Sequence, residues 1–202
     1  MLFIPTYFAP IAQYVAIMQQ PSIVFEVEDN FQKQTYRNRC LIYGANGKLQ
    51  LNVPIKHTHK GGRQKSKDIQ IKYSEHWQKL HFKSMQSAYR SSPYFEFYED
   101  DLQTIFEKKH TFLHDLNFET HAFIMDAMQE EIPFVRTEKY DVSPSIKDNR
   151  SLAIAKGKRI FDFKPYVQVF DDKYGFIPNL SILDLLFMEG PNTSMYLAAQ
   201  KI

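Results

Sequence analysis

The stretch Leu2-Phe3-Ile4-Pro5-Thr6-Tyr7-Phe8-Ala9-Pro10-Ile11-Ala12-Gln13-Tyr14-Val15-Ala16-Ile17-Met18-Gln19-Gln20-Pro21-Ser22-Ile23-Val24-Phe25-Glu26-Val27 decides the fold class. Leu2 to Pro5 reads as a short strand. Phe8, Ile11, Ala12, Val15 and Met18 then recur at helical spacing, which predicts a helix from Phe8 to Gln19 ended by Pro21. Ser22 to Val27 returns to strand character. A strand, a helix and a second strand prefer a right-handed crossover, so the two strands are expected to lie parallel. The fold class that follows is mixed α/β, with a βαβ-like opening.

Outward from that opening, Arg39 to Tyr43 and Lys48 to Pro54 flank Gly44-Ala45-Asn46-Gly47, whose Asn-Gly is a strong turn signal for an antiparallel hairpin. His57 to Lys67 is polar and basic without apolar periodicity, and is expected to be an exposed loop. Asp68 to Tyr73 is expected to be a strand. Glu75 to Tyr89 sets Trp77, His81, Ser84 and Ala88 on one helical face. A longer helical region from about Glu96 to Met128 is expected to break near Leu116 to Phe118. Phe134 to Arg136 reads as a last strand of the mixed sheet, flanked by helices, before a weakly patterned stretch to Lys164. Asn179 to Gln200 closes the chain as one or two helices split at Gly190-Pro191.

The chain has 202 residues, of which 44% are hydrophobic, enough to bury one sizeable core, so one domain over 1–202 is expected. With 17 Phe and 12 Tyr the aromatic content exceeds what packing alone usually requires, and tyrosines often line wet clefts. A formal charge of +2, from 25 basic against 23 acidic residues, gives no general field for nucleic acid or anionic lipid, so any anion site must be local. The single cysteine, Cys40, excludes an internal disulfide, and no signal peptide is apparent, which together predict a cytoplasmic protein. No apolar run approaches the roughly 20 residues of a membrane span.

Gln32-Lys33-Gln34-Thr35-Tyr36-Arg37-Asn38-Arg39 gathers amide, hydroxyl and guanidinium donors ahead of an apolar strand. If the segment is extended, Arg37 and Arg39 share one face, where two guanidinium forks suit a phosphate or pyrophosphate, while Asn38 turns to the other. The alternative is a polar strand whose arginines pair with carboxylates. His81 shares its face with Trp77 and Ala88, so it is either a general acid or base near neutral pH or a packed histidine. Cys40 is expected to be buried and inert. His110 and His114 stand one helical turn apart with His121 two turns on, but no Glu follows His110, so a helix surface is preferred and no metal is expected. Glu99-Asp100-Asp101 is able to hold a cation or act as a general base, but reads better as the acidic start of a helix, and Asp171 to Gly175 reads as turn chemistry. Asn179 or Ser181 can cap the helix that begins at Ile182, whose N-terminus is also able to face an anion. With no Walker loop, no dinucleotide glycine motif and no zinc cysteine cluster, no cofactor is expected.

Four stretches in this order resemble the WbqC-like family. They are Thr6-Tyr7-Phe8-Ala9-Pro10 with Tyr14, then Asn30 to Arg39, then Trp77 to Phe95, then Phe176-Ile177-Pro178-Asn179-Leu180-Ser181-Ile182-Leu183-Asp184. Pro5-Thr6 stands where many members have Gln-Pro, and the segment from Tyr140 to Lys164 looks shortened, which removes a substrate contact if members make one there. The resemblance implies a bacterial protein tied to O-antigen or other surface-polysaccharide assembly. On that basis the expected substrate is a small molecule of the nucleotide-sugar kind, with Tyr7, Gln32, Lys33, Arg37, Asn38, Arg39, Tyr89, Asn179 and Ser181 as binding residues and His81 as the proton shuttle of an acyl or aminoacyl transfer. The alternative is a non-catalytic protein that binds the same glycan precursor or serves as a scaffold. If one site is shared, these segments converge on one cleft, with Arg37 and His81 on the same side.

Overall fold

The computed structural model describes residues 1–56, 63–157 and 159–202. Strand β1 (Leu2–Phe3), helix α1 (Ile11–Ile17) and strand β2 (Ile23–Phe25) form the expected βαβ unit, with Leu2 opposite Val24 and Phe3 opposite Phe25 in parallel register. The predicted last strand, β5 (Phe134–Arg136), joins the other edge of β2, also parallel. Leu2, Phe3, Ile23 and Phe25 are buried, as parallel strands covered by other elements require.

Helix α1 starts three residues later than its periodicity predicts. Phe8 sits at φ +39, in the left-handed region, and Ala9 precedes a proline, so neither continues a right-handed helix backwards. Every residue of α1 is buried, and its polar side chains are met inside: Gln13 donates to the Ile4 carbonyl at 3.1 Å and accepts from the Thr6 hydroxyl at 3.2 Å. Pro10 offers no side-chain cap. Instead Asn179 Oδ1, 167 positions away in sequence, accepts the Ala12 N–H at 2.8 Å. Asn179 itself lies at φ +57, a conformation that asparagine tolerates better than most residues. Asn179→Gly, which keeps that backbone and removes the side-chain acceptor, should therefore cost about 1 kcal/mol, the net worth of one hydrogen bond. Urea denaturation should show a lower midpoint at an unchanged slope.

The hairpin forms as expected from β3 (Arg39–Gly44) and β4 (Gly47–Asn52), with Gly47 at φ +92 supplying the reversal. Helix α2 (Trp77–Tyr89) follows, then α3 (Phe95–Glu107) and α4 (Leu113–Ala127). The helical break falls at 108–112 rather than at Leu116 to Phe118. The Tyr73 hydroxyl pins that linker by accepting from His110 N at 2.8 Å and donating to His110 O at 3.0 Å. Asn117, which reads as a breaker, is held within α4 by the carbonyls of Pro5 and Arg37.

Asp68 to Tyr73 is not a strand. Its backbone divides its bonds between two neighbours, Ile71 N–H going to Thr111 and Lys72 N–H to Pro54, so no ladder of useful length forms. In the expected loop, residues 57–62 lie outside the described residues. Beyond them Lys65 bridges Asn30 and Ser66–Asp68 makes a 3-10 turn. Asp171–Tyr174 closes into one helical turn, α5. The C-terminal helix splits where expected, into α6 (Ile182–Glu189), a 3-10 turn at Gly190–Asn192, and α7 (Thr193–Ala198). One buried cluster reaches from Phe3 through Trp77 and Leu102 to Leu197, so the sheet, the hairpin and the helices share a core. No helix of the described residues is long and apolar enough to cross a membrane.

Candidate functional site

A cleft of about 630 Å³ opens between residues 31–34, the start of β3, the end of β4 and the turn before α2. Its polar lining is set by strand periodicity. Arg39 pairs with Asn52 across the hairpin, and Gln50, two residues before Asn52, points to the same face. Asn38 anchors the rim by donating to the Val53 carbonyl at 3.0 Å. Lys33, Arg39 and Lys72 bring three positive charges to this lining, against the single carboxylate of Glu75. Lys72 lies 3.7 Å from Glu75. Arg39 has no carboxylate partner among the described residues. Its contact is Gln50 Oε1 at 3.5 Å, and its Nε is buried without a hydrogen bond.

Behind the cleft floor lies His81. Its ring hydrogen-bonds the Asn52 main-chain carbonyl, and its Nδ1 lies 2.9 Å from the Tyr7 hydroxyl. Trp77 and Phe106 enclose the ring edge-on. Burial pushes the imidazole down to about 4, the carbonyl of Asn52 opposing that shift, so His81 is neutral at pH 7. It does not line the cleft; it holds the backbone of a residue that does.

The other expected site residues separate into distinct environments. Arg37 and Arg39 do not share a face. Tyr36–Asn38 is a 3-10 turn, and only Arg39 enters the strand. Arg37 turns inward and forms a buried ion pair with Asp29. Tyr89 is buried in a polar network in which it accepts from Tyr43 N at 3.0 Å and donates to Asp184 at 2.7 Å. Asp184 also accepts from Tyr166 at 2.6 Å and from Gln168 at 2.8 Å. Burial raises the Asp184 carboxyl above its ordinary value. Ser181 accepts from Leu183 N, capping α6 as expected, and donates to Phe8 O, whereas Asn179 caps α1. Gln32 is exposed outside the cleft lining. The expected single cleft therefore does not form: Lys33, Asn38 and Arg39 reach the opening, Tyr7 and His81 lie beneath it, and Arg37, Tyr89, Asn179 and Ser181 knit the frame.

The helix-surface expectation for the three histidines is overturned, since all are buried. His110 precedes α4 and pairs with Glu119, His114 faces Asp29 and Arg37, and His121 Nδ1 lies 3.1 Å from the Tyr14 hydroxyl. Cys40 is buried inside β3, and burial pushes its thiol far up, so it is not poised as a nucleophile. Gln50 and Asn52 were missed as cleft residues, although their two-residue spacing in a half-polar strand marks them. Lys72 and Glu75 belong to an irregular segment that periodicity does not reach.

Among family models, that of the WbqC-like protein family matches residues 5–160. No curated protein and no solved structure matches.

Proposed function

We propose that this chain, which belongs to the WbqC-like protein family, binds an anionic glycan precursor, a nucleotide-linked sugar, in the cleft beside Arg39. The single observation that carries the reading is a guanidinium without a carboxylate partner among the described residues, in a cleft of about 630 Å³, a volume suited to a small molecule. Arg39 takes the phosphates in bidentate fashion, Lys33 and Lys72 add charge, and the amides of Asn38, Gln50 and Asn52 meet sugar hydroxyls. The surface-polysaccharide role rests on the family resemblance. Recognition is the activity this geometry supports best, because His81 is neutral and one layer below the cleft. If a transfer reaction occurs here, Glu75 is the carboxylate positioned at the cleft to act as its base.

Titration calorimetry with UDP-N-acetylglucosamine should give binding that weakens about tenfold or more in Arg39→Ala, the loss expected for a charge-assisted pair. Thermal unfolding of the unliganded variant should be close to the parent, because the contact of Arg39 among the described residues is a long one to Gln50, at 3.5 Å. Equal affinity in parent and variant would remove Arg39 from the site, and no binding of the nucleotide-sugar by either protein would overturn the reading.

A further inference from the structure

A second cavity of about 510 Å³ lies between α3, the end of α4 and the 3-10 turn at Gly190–Asn192, and it shares no lining residue with the cleft. Its walls are aromatic: Tyr94, Phe97, Tyr98 and Phe123. Phe97 is 76% exposed, an unusual state for a phenyl ring that belongs to a well-packed helix. Two of the rings are held in place at the wall. A Cβ at Gly190 would meet the Tyr94 ring at 2.5 Å, so Tyr94 lies flush on backbone that only glycine permits. Tyr98 is tied to the end of α4 through the Ala127 carbonyl at 3.4 Å.

Two carboxylates, Asp101 and Asp126, complete the lining, and neither has an ion pair or side-chain hydrogen bond among the described residues. Among the described residues, no lysine, arginine or histidine lines the cavity. The C-terminal end of α4 also opens here, where Gln129 at φ +56 turns the chain and Glu130 N–H bonds the Met125 carbonyl. That helix end carries partial negative charge, and no basic residue in its last turn offsets it. Aromatic faces, two unpaired carboxylates and a helix C-terminus all favour the same charge.

We propose that this cavity binds a protonated amine carried on an apolar body, with the ammonium between Asp101 and Asp126 and the body against Phe97 and Phe123. An anion is repelled by the same lining, and a neutral apolar molecule leaves both carboxylates unused. The site is separate from the Arg39 cleft, so the two readings stand or fall independently.

The test is titration calorimetry with two probes of equal shape, phenethylammonium and neutral 2-phenylethanol, against the parent and the double variant Asp101→Asn/Asp126→Asn. Both aspartates are exposed, so the variant should fold. The parent should prefer the cation by about tenfold, the combined effect of two surface charge pairs, and the double variant should lose that preference. Arg39→Ala should leave cation binding unchanged. Equal binding of the two probes by the parent, no binding of the cation, or a preference that survives in the double variant would each overturn the proposal.

Discussion

Between pH 7 and pH 5 the protein should lose on the order of 6 kcal/mol of folding stability, a large part of the 5–15 kcal/mol typical of a domain. The cause is three buried histidines. His81 lies on α2, His114 and His121 lie two turns apart on α4, and burial pushes each from its ordinary 6.5 down to about 4. The unfolded chain takes up a proton on each imidazole near 6.5, while the folded chain resists until about 4. Throughout that interval the unfolded state binds more protons, so acid favours it. At pH 5 the difference is about 2 kcal/mol for each histidine. Asp184 works in the opposite direction, since its raised carboxyl takes a proton more readily when folded, but it is one group against three. Urea midpoints measured at pH 7, 6 and 5 should fall steeply and together. A midpoint that stays level would mean that the three imidazoles are not held neutral by the fold.

Arg37→Ala should cost about 3–5 kcal/mol, because it strands the Asp29 carboxylate in the interior. Both side chains are nearly excluded from solvent, at 4% and 5%. The change also reaches His114, which feels Asp29 as a stabilising anion and Arg37 as an opposing cation, beneath the larger effect of burial. Removal of the cation should therefore move the His114 titration upward, which NMR of its ring protons reads directly. A variant as stable as the parent would show that Asp29 finds water or another partner, and the pair would then be peripheral to the core.

These two expectations also mark what the sequence discloses and what it hides. The βαβ opening, the hairpin and β5 are written in local patterns, because period-two and helical spacing are properties of neighbouring residues. The division of labour between Arg37 and Arg39 is not, since it depends on Asp29 meeting one of them in three dimensions and on a 3-10 turn that no periodicity announces. Tyr89 reads as a candidate ligand residue from its place in a motif. Its partner Asp184 lies 95 positions away, and only the closed fold shows that the hydroxyl is already spent. His81 illustrates the same limit: its helical face and its neighbour Trp77 are legible, but the rest of its enclosure comes from Phe106 and Tyr7, which arrive from two other segments. Of the cleft, Lys33, Asn38 and Arg39 come from one polar run, while Lys72 and Glu75 arrive on irregular backbone.

The Asn179 bond to α1 has a consequence for the order of events during synthesis. A helix of seven residues is too short to persist alone, and this one receives its N-terminal cap, together with the Leu180 carbonyl that accepts Ile11 N–H, from the far end of the chain. Contacts of such long sequence separation slow the search for the native topology, because a large loop must close before they form. During synthesis α1 thus stays unfinished until the segment 167 positions downstream has been made and folded back, so it settles later than the residues around it.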